Sequence, residues 1–168
     1  MQDSFASDVA ALGDDPPIRA ILEDVCRITK MGFAAVARVT EARWIACQVL
    51  DKIEFGLNPG DELKIKTTIC DDIRGSGEAI VIDSVADDFT WRTHPTPIIY
   101  GFKSYASFPL YLDDGSFFGT LCAIDPEPHE LSTSVIAETL QAYAKQIGTI
   151  LSRASAGKVA PAPDLRVS

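Results

Sequence analysis

The sequence predicts an α+β fold. A central antiparallel sheet of five to six strands carries N- and C-terminal helices on one face and a pocket covered by loops and a short helix on the other. Three observations predict it. Ser104–Leu112 and Phe117–Asp125 are β-rich runs joined by Asp113-Asp114-Gly115-Ser116, and Asp-Gly between alternating apolar strands is the strongest short-range hairpin signal. Two long helical stripes, one near each end of the chain, are apolar on one side only. Strands outnumber long helices, and one-sided helices bury their stripes together on one face of a sheet.

The first helix starts at Asp14-Asp15-Pro16-Pro17. Asp15 caps it, and Pro16 suits the first helical position, where its missing N–H costs nothing. Ile18, Ile21, Leu22, Val25 and Thr29 share its apolar stripe, and Gly32 is the expected stop. Residues 1–13 show only a weak helical tendency around Val9–Leu12. Phe33–Val39 and Trp44–Leu50 follow as strands joined by Thr40-Glu41-Ala42-Arg43, and 55–60 is a loop rich in Gly, Asn and Pro. Leu63–Lys66 is weakly extended. Thr67–Arg74 reads as a short helix ending at Gly75-Ser76-Gly77, and Ala79–Asp83 as a strand.

Val85–Gly101 holds Pro95, Pro97, three aromatics and His94 without a sustained period. It predicts irregular loops and a short helix. In the closing hairpin, Ala106, Phe108, Leu110 and Leu112 form one face. Tyr105, Ser107, Pro109 and Tyr111 form the other, amphipathic rather than charged, which suits a strand covered on both sides. The last helix, capped by Ser132 or Ser134, carries Ile136, Leu140, Tyr143, Ile147, Ile150 and Leu151 in a stripe. The expected organisation is an N-terminal extension over 1–15, the domain over 16–153, and a disordered Ala/Pro/Ser-rich tail over 154–168.

Composition narrows the function. The chain of 168 residues is 46% hydrophobic and 23% charged, ordinary for a globular protein. Its length allows burial of about 70% of the unfolded surface. The net charge of −9 argues against nucleic acid and anionic membrane surfaces as partners. Cys26, Cys47, Cys70 and Cys122 form no C-x-x-C pair, which argues against a zinc ribbon. No secretory signal and no apolar run of membrane-spanning length are seen, so a cytoplasmic location with reduced thiols is expected.

Several segments together resemble a GAF domain over about Ile18–Arg153. They are Ile69-Cys70, Gly77–Asp83, Phe102–Leu110, Asp114-Gly115 and Phe118–Asp125, with the helix after them. The wording is closest to GAF modules at the input end of bacterial sensor histidine kinases. The resemblance implies a sensory module that holds a small molecule between sheet and loops. It places the pocket wall at Cys70, Phe89, Trp91, His94, Ile98, Tyr100, Phe102, Tyr105, Ser107, Thr120 and Cys122. Aromatics with a few polar atoms in an irregular segment suit a mostly apolar site with some directing hydrogen bonds. The resemblance also implies a homodimer through the terminal helices and an output protein or domain. The chain reads as a stand-alone sensor or as the input piece of a longer signalling protein.

Other chemistries weigh less. Cyanobacteriochrome GAF domains carry a Cys-His pair before the closing hairpin. Here that stretch reads His94-Pro95-Thr96-Pro97-Ile98-Ile99-Tyr100, without a cysteine, so covalent bilin is not expected. A noncovalent bilin photoreceptor and a ligand-free dimerisation module are kept as alternatives. Haem needs an axial ligand, and His94 and His129 read more simply as a lid residue and a loop residue. Free methionine sulfoxide reductases share the fold and use several pocket cysteines, whereas Cys122 sits among apolar neighbours. The pairs Asp71-Asp72, Asp87-Asp88 and Asp113-Asp114 read as caps and turn residues. No nucleophile–base pair is visible, so no enzyme and no metal site is expected.

Overall fold

The structure is a computed structural model that describes residues 4–64 and 68–159. Six strands form one sheet in the order β3-β2-β1-β6-β5-β4. They are β1 (Phe33–Val39), β2 (Trp44–Asp51), β3 (Glu62–Leu63), β4 (Ile80–Ile82), β5 (Ser104–Tyr111) and β6 (Phe117–Asp125). All neighbours run antiparallel. The helices are α1 (Ser4–Gly13), α2 (Pro16–Thr29), α3 (Cys70–Ser76), α4 (Pro95–Tyr100) and α5 (Ser134–Val159), with a 3-10 turn at Val85–Asp87. The α+β architecture is the one the sequence predicts.

Each face of the sheet has its own apolar cluster. Ala34, Val36, Ile45, Phe108, Leu110, Leu121 and Ala123 meet α1, α2 and α5 on the first face. Phe33, Ala35, Ala37, Trp44, Tyr105, Cys122 and Ile124 meet α3 and the connecting segments on the second. Period-two alternation sorts the side chains, and two bulges interrupt it. Ala37 pairs with Ala46 while Val36 pairs with Gln48, leaving Cys47 between them. Leu110 pairs with Gly119 and Tyr111 with Phe117, leaving Phe118 unpaired, and both bulged residues join the helix-side cluster.

The helices sit very close to the strands. Asp15 Oδ1 accepts from the Ile18 N–H at 3.3 Å and starts α2 as predicted. The α2 helix ends earlier than expected. Lys30 takes the left-handed position at φ 65°, and the Gly32 N–H donates to Asp125 Oδ1 at 2.8 Å instead. The five stripe residues Ile18, Ile21, Leu22, Val25 and Thr29 are all buried. The Tyr143 hydroxyl on α5 bonds the Asp24 carboxylate on α2. The cap of α5 is Thr133, whose hydroxyl accepts from the Ile136 N–H, because Ser132 is taken by Asp83. A Cβ on Gly148 would stand 2.2 Å from the Tyr111 carbonyl oxygen, so α5 reaches β5 only because that residue is glycine.

Among the described residues, helix reaches further toward both ends of the chain than the sequence suggests. The segment read as an N-terminal extension contains α1, with Ala6 and Val9 in the core. The Cys47 thiol donates to the Val9 carbonyl at 3.2 Å and Gln48 Nε2 to the Gly13 carbonyl at 2.7 Å. Local propensity does not carry this helix; the sheet does. At the other end, α5 runs through to Val159, past the Ala154 at which a tail was expected. Residues 160–168, the rest of that segment, lie outside the described residues. So does Thr67, the predicted start of the short helix, which is helical over Cys70–Ser76.

Candidate functional site

On the second face, the sheet, α3, α4 and the loop over 52–61 line a partly open cavity of about 40 Å3. Its wall is almost entirely carbon. Phe33, Trp44, Cys122 and Ile124 come from the sheet floor, Ile69 and Cys70 from α3 and the residue before it, and Thr96 and Tyr100 from α4. Pairing explains the floor, because Phe33 stands opposite Ile124 and Ala35 opposite Cys122. A second, open hollow of about 540 Å3 shares Phe55, Leu57, Leu63, Tyr100, Phe102 and Ile124 with the cavity. These six residues stand between the two hollows. Ring contacts brace this boundary: Phe33 to Phe55 at 5.1 Å and Phe55 to Tyr100 at 6.0 Å between centroids.

The loop bearing Phe55 is held by one side chain. Asp51 accepts from the N–H groups of Ile53, Phe55 and Gly56 at 3.1, 3.0 and 2.8 Å. Burial tends to raise its pKa, but these backbone donors, with Leu57, outweigh it and hold the carboxyl below its ordinary value.

Two polar features interrupt the apolar wall. The Trp44 indole Nε1–H is buried and has no hydrogen-bond partner. Beside it lies a cluster centred on Cys70, whose sulfur is 3.1 Å from Thr120 Oγ1, 3.5 Å from Tyr105 Oη and 3.9 Å from Ser107 Oγ. A hydrogen bond with Cys122 lowers the Cys70 pKa, burial opposes it, and hydrogen bonding to Thr120, Tyr105 and, loosely, the Trp44 N–H lowers it further. The net direction is down. Cys122 moves the other way, well above its ordinary value, through the same bond and burial. Burial, with Cys70 beside it, pushes the Tyr105 phenol well above its usual value.

Of the eleven wall residues expected from sequence, the structure brings seven together: Cys70, Tyr100, Phe102, Tyr105, Ser107, Thr120 and Cys122. Four stand elsewhere. Phe89 is 84% exposed under Arg92 and Ile98 is 75% exposed. His94 is the α4 cap, its Nδ1 accepting from the Thr96 N–H, and it packs on Trp91 at 4.6 Å. Neither His94 nor Trp91 lines the cavity. Tyr111, expected on the covered face, is 44% exposed at the sheet end. His129 is not simply a solvated loop residue, because Nε2 meets Asp125 Oδ2 at 2.9 Å. Trp44, Phe33, Phe55 and Leu57 are wall residues that sequence reasoning missed. Strand alternation could have found the first two once Cys122 was assigned to this face. Among the described residues no cluster of three or more His, Cys, Asp or Glu is placed to hold a metal.

An antiparallel sheet with helices behind and a cavity in front defines an α+β module. The GAF domain family model matches residues 17–151, and the chain belongs to that family, whose fold serves regulatory and sensory roles in signalling proteins. Solved structures agree on the fold. The GAF domain of an Acinetobacter phosphoenolpyruvate-protein phosphotransferase superposes with a TM-score of 0.67 at 11% identity, covering 93% of this chain and 98% of its own. A domain of a putative two-component sensor histidine kinase protein from Sinorhizobium meliloti 1021 gives 0.57 at 16% identity, covering 84% and 92%. A type II free methionine-R-sulfoxide reductase from Thermoplasma acidophilum gives 0.62 at 8% identity, covering 88% and 95%. No curated protein matches the chain.

Proposed function

We propose that this domain is a non-catalytic sensor in bacterial signal transduction that holds a small, mostly apolar molecule presenting one hydrogen-bond acceptor to Trp44. The observation that carries the reading is the buried Trp44 Nε1–H, which makes no hydrogen bond of normal geometry and only a loose approach to the Cys70 sulfur, at the edge of a carbon-lined cavity. A buried donor without a partner costs about 1–3 kcal/mol. A bound carbonyl or carboxylate removes that penalty while its apolar body fills the remaining wall. A guest larger than the cavity enters by parting Phe55 from Tyr100, which joins the inner space to the outer hollow. Binding shifts the module only by its differential affinity for the closed and parted states. The likeness to a sensor kinase domain supports an input role upstream of an output partner. Four free cysteines suit a reducing compartment.

The test is a thermal-shift screen of small aromatic carbonyl and carboxylate compounds, followed by calorimetry on Trp44→Phe. Hits raise the melting temperature of the native protein, and the variant binds them about tenfold more weakly, the loss of one hydrogen bond. Without ligand, Trp44→Phe is as stable as the native protein or more so. If no compound stabilises the chain and it self-associates in sedimentation, the ligand-free dimerisation reading through the terminal helices replaces this one.

A further inference from the structure

We infer that Cys70 and Cys122 form a peroxide-oxidisable dithiol, a modification site in the cavity wall that closes to a disulfide between α3 and β6. The two thiols come from distant parts of the chain, yet both line the same small cavity, and Cys122 stands opposite Ser107, whose Oγ is 3.9 Å from the Cys70 sulfur. Three hydroxyls face that sulfur. Thr120, Tyr105 and Ser107 converge on it from two adjacent strands, and O–H donors favour thiolate over thiol. Three hydroxyl-bearing side chains gathered on one sulfur inside an otherwise carbon-lined wall are not explained by packing. Both cysteines border the cavity. On the same measure a water needs about 10–15 Å3, so a molecule the size of hydrogen peroxide fits against them.

The other two cysteines are the internal contrast. Cys26 and Cys47 lie in the helix-side core. Burial raises both, Cys47 to about 12, and the Cys47 thiol is spent on the Val9 carbonyl. They have the setting of inert structural thiols.

The chemistry balances with peroxide as the oxidant. The Cys70 thiolate attacks one peroxide oxygen and the O–O bond breaks. Cys70 becomes a sulfenic acid, and the departing hydroxide takes a proton to leave as water. The Cys122 sulfur then displaces the sulfenic oxygen, which leaves as a second water with the Cys122 proton. Two thiols and one peroxide give one disulfide and two waters.

Intact mass spectrometry and peptide mapping of the reduced, full-length chain treated with hydrogen peroxide test the inference. The native protein is expected to lose two hydrogen atoms and to yield a cross-linked peptide joining Cys70 to Cys122. Cys122→Ala is expected to stop at one added oxygen trapped by dimedone, and Cys70→Ala to show neither product. The double variant Cys26→Ala/Cys47→Ala is expected to oxidise as the native protein does. Retention of all four thiols after peroxide overturns the inference, as does a disulfide through Cys26 or Cys47. If either cavity variant fails to fold by circular dichroism, the cross-linked peptide from the native protein decides alone. The outcome is independent of whether any compound stabilises the cavity.

Discussion

The two faces of the sheet are built from the same strands but solve different problems. On the helix face, Ile45, Leu110, Leu140, Ile147 and Leu151 are fully or almost fully buried, and α5 approaches so closely that a single added carbon at Gly148 would strike the β5 backbone. On the cavity face the cover is two short helices and loops, the floor carries hydroxyls and thiols, and an indole donor goes unpartnered. The first face is packed as protein interiors are, without space to rearrange. The second keeps space and unsatisfied polar capacity, features that packing alone would eliminate. Stability and recognition are thus divided between opposite sides of one sheet, with β5 and β6 facing both.

Matched truncations measure that division. Leu110→Ala on the helix face removes a side chain that no neighbour can replace, and the expected loss is about 2–5 kcal/mol in urea denaturation. Leu57→Ala in the cavity partition removes the same atoms beside existing space and from a loop able to settle, with an expected loss of about 1–2 kcal/mol. Equal losses at the two sites would mean that the cavity face is as tightly packed as the other and would break the comparison.

The same asymmetry governs what the sequence reveals. The stripes of α2 and α5 and the alternation of β5 are regular because a flat packed face selects for one period, and Ile18, Ile21, Leu22, Val25, Ile147 and Leu151 land where that period puts them. The cavity face is legible where it shares those strands, at Tyr105, Ser107, Thr120 and Cys122, and at Cys70, Tyr100 and Phe102, which only the family resemblance supplied. Phe33 and Trp44 sit on strands apolar on both sides, so no alternation separates the two faces locally. Phe55 and Leu57 lie in a loop whose path depends on Asp51. Phe89 and Ile98 have the composition of wall residues, but their segment has no period and its fold turns them outward. The α1 helix is set by contacts with Cys47 and Gln48, which no local pattern encodes.

The pH response sharpens the comparison at the cavity rim. The Asp51 pKa is lowered by folding, so the carboxylate stabilises the folded chain above its unfolded value of about 4, and that contribution disappears as pH falls through the lower folded value. The group is half-buried at the rim, and water screening keeps the effect modest. Asp51→Asn is therefore expected to melt below the native protein at neutral pH, with the gap narrowing below about pH 4. A gap that is constant from pH 7 to pH 3 would show that the loop is held by something other than the carboxylate charge.

The smallest expected effect lies in the same loop and separates backbone strain from side-chain contact. Glu54 holds φ 57° and Gly56 φ 94°. A left-handed non-glycine residue is strained by about 1 kcal/mol or more, while glycine frees the unfolded chain by about 0.4–1 kcal/mol. These terms nearly cancel for Glu54→Gly, so its melting temperature should be unchanged or slightly higher. Gly56→Ala meets no atom within 4 Å, yet both terms no longer offset each other in its favour: the strain enters at a φ where alanine is rare, and the expected loss is about 1 kcal/mol. Since neither change alters the contacts of Phe55 or Leu57, opposite signs in the two variants would assign the loop's shape to its backbone, and a loss in both would assign it to the Glu54 side chain.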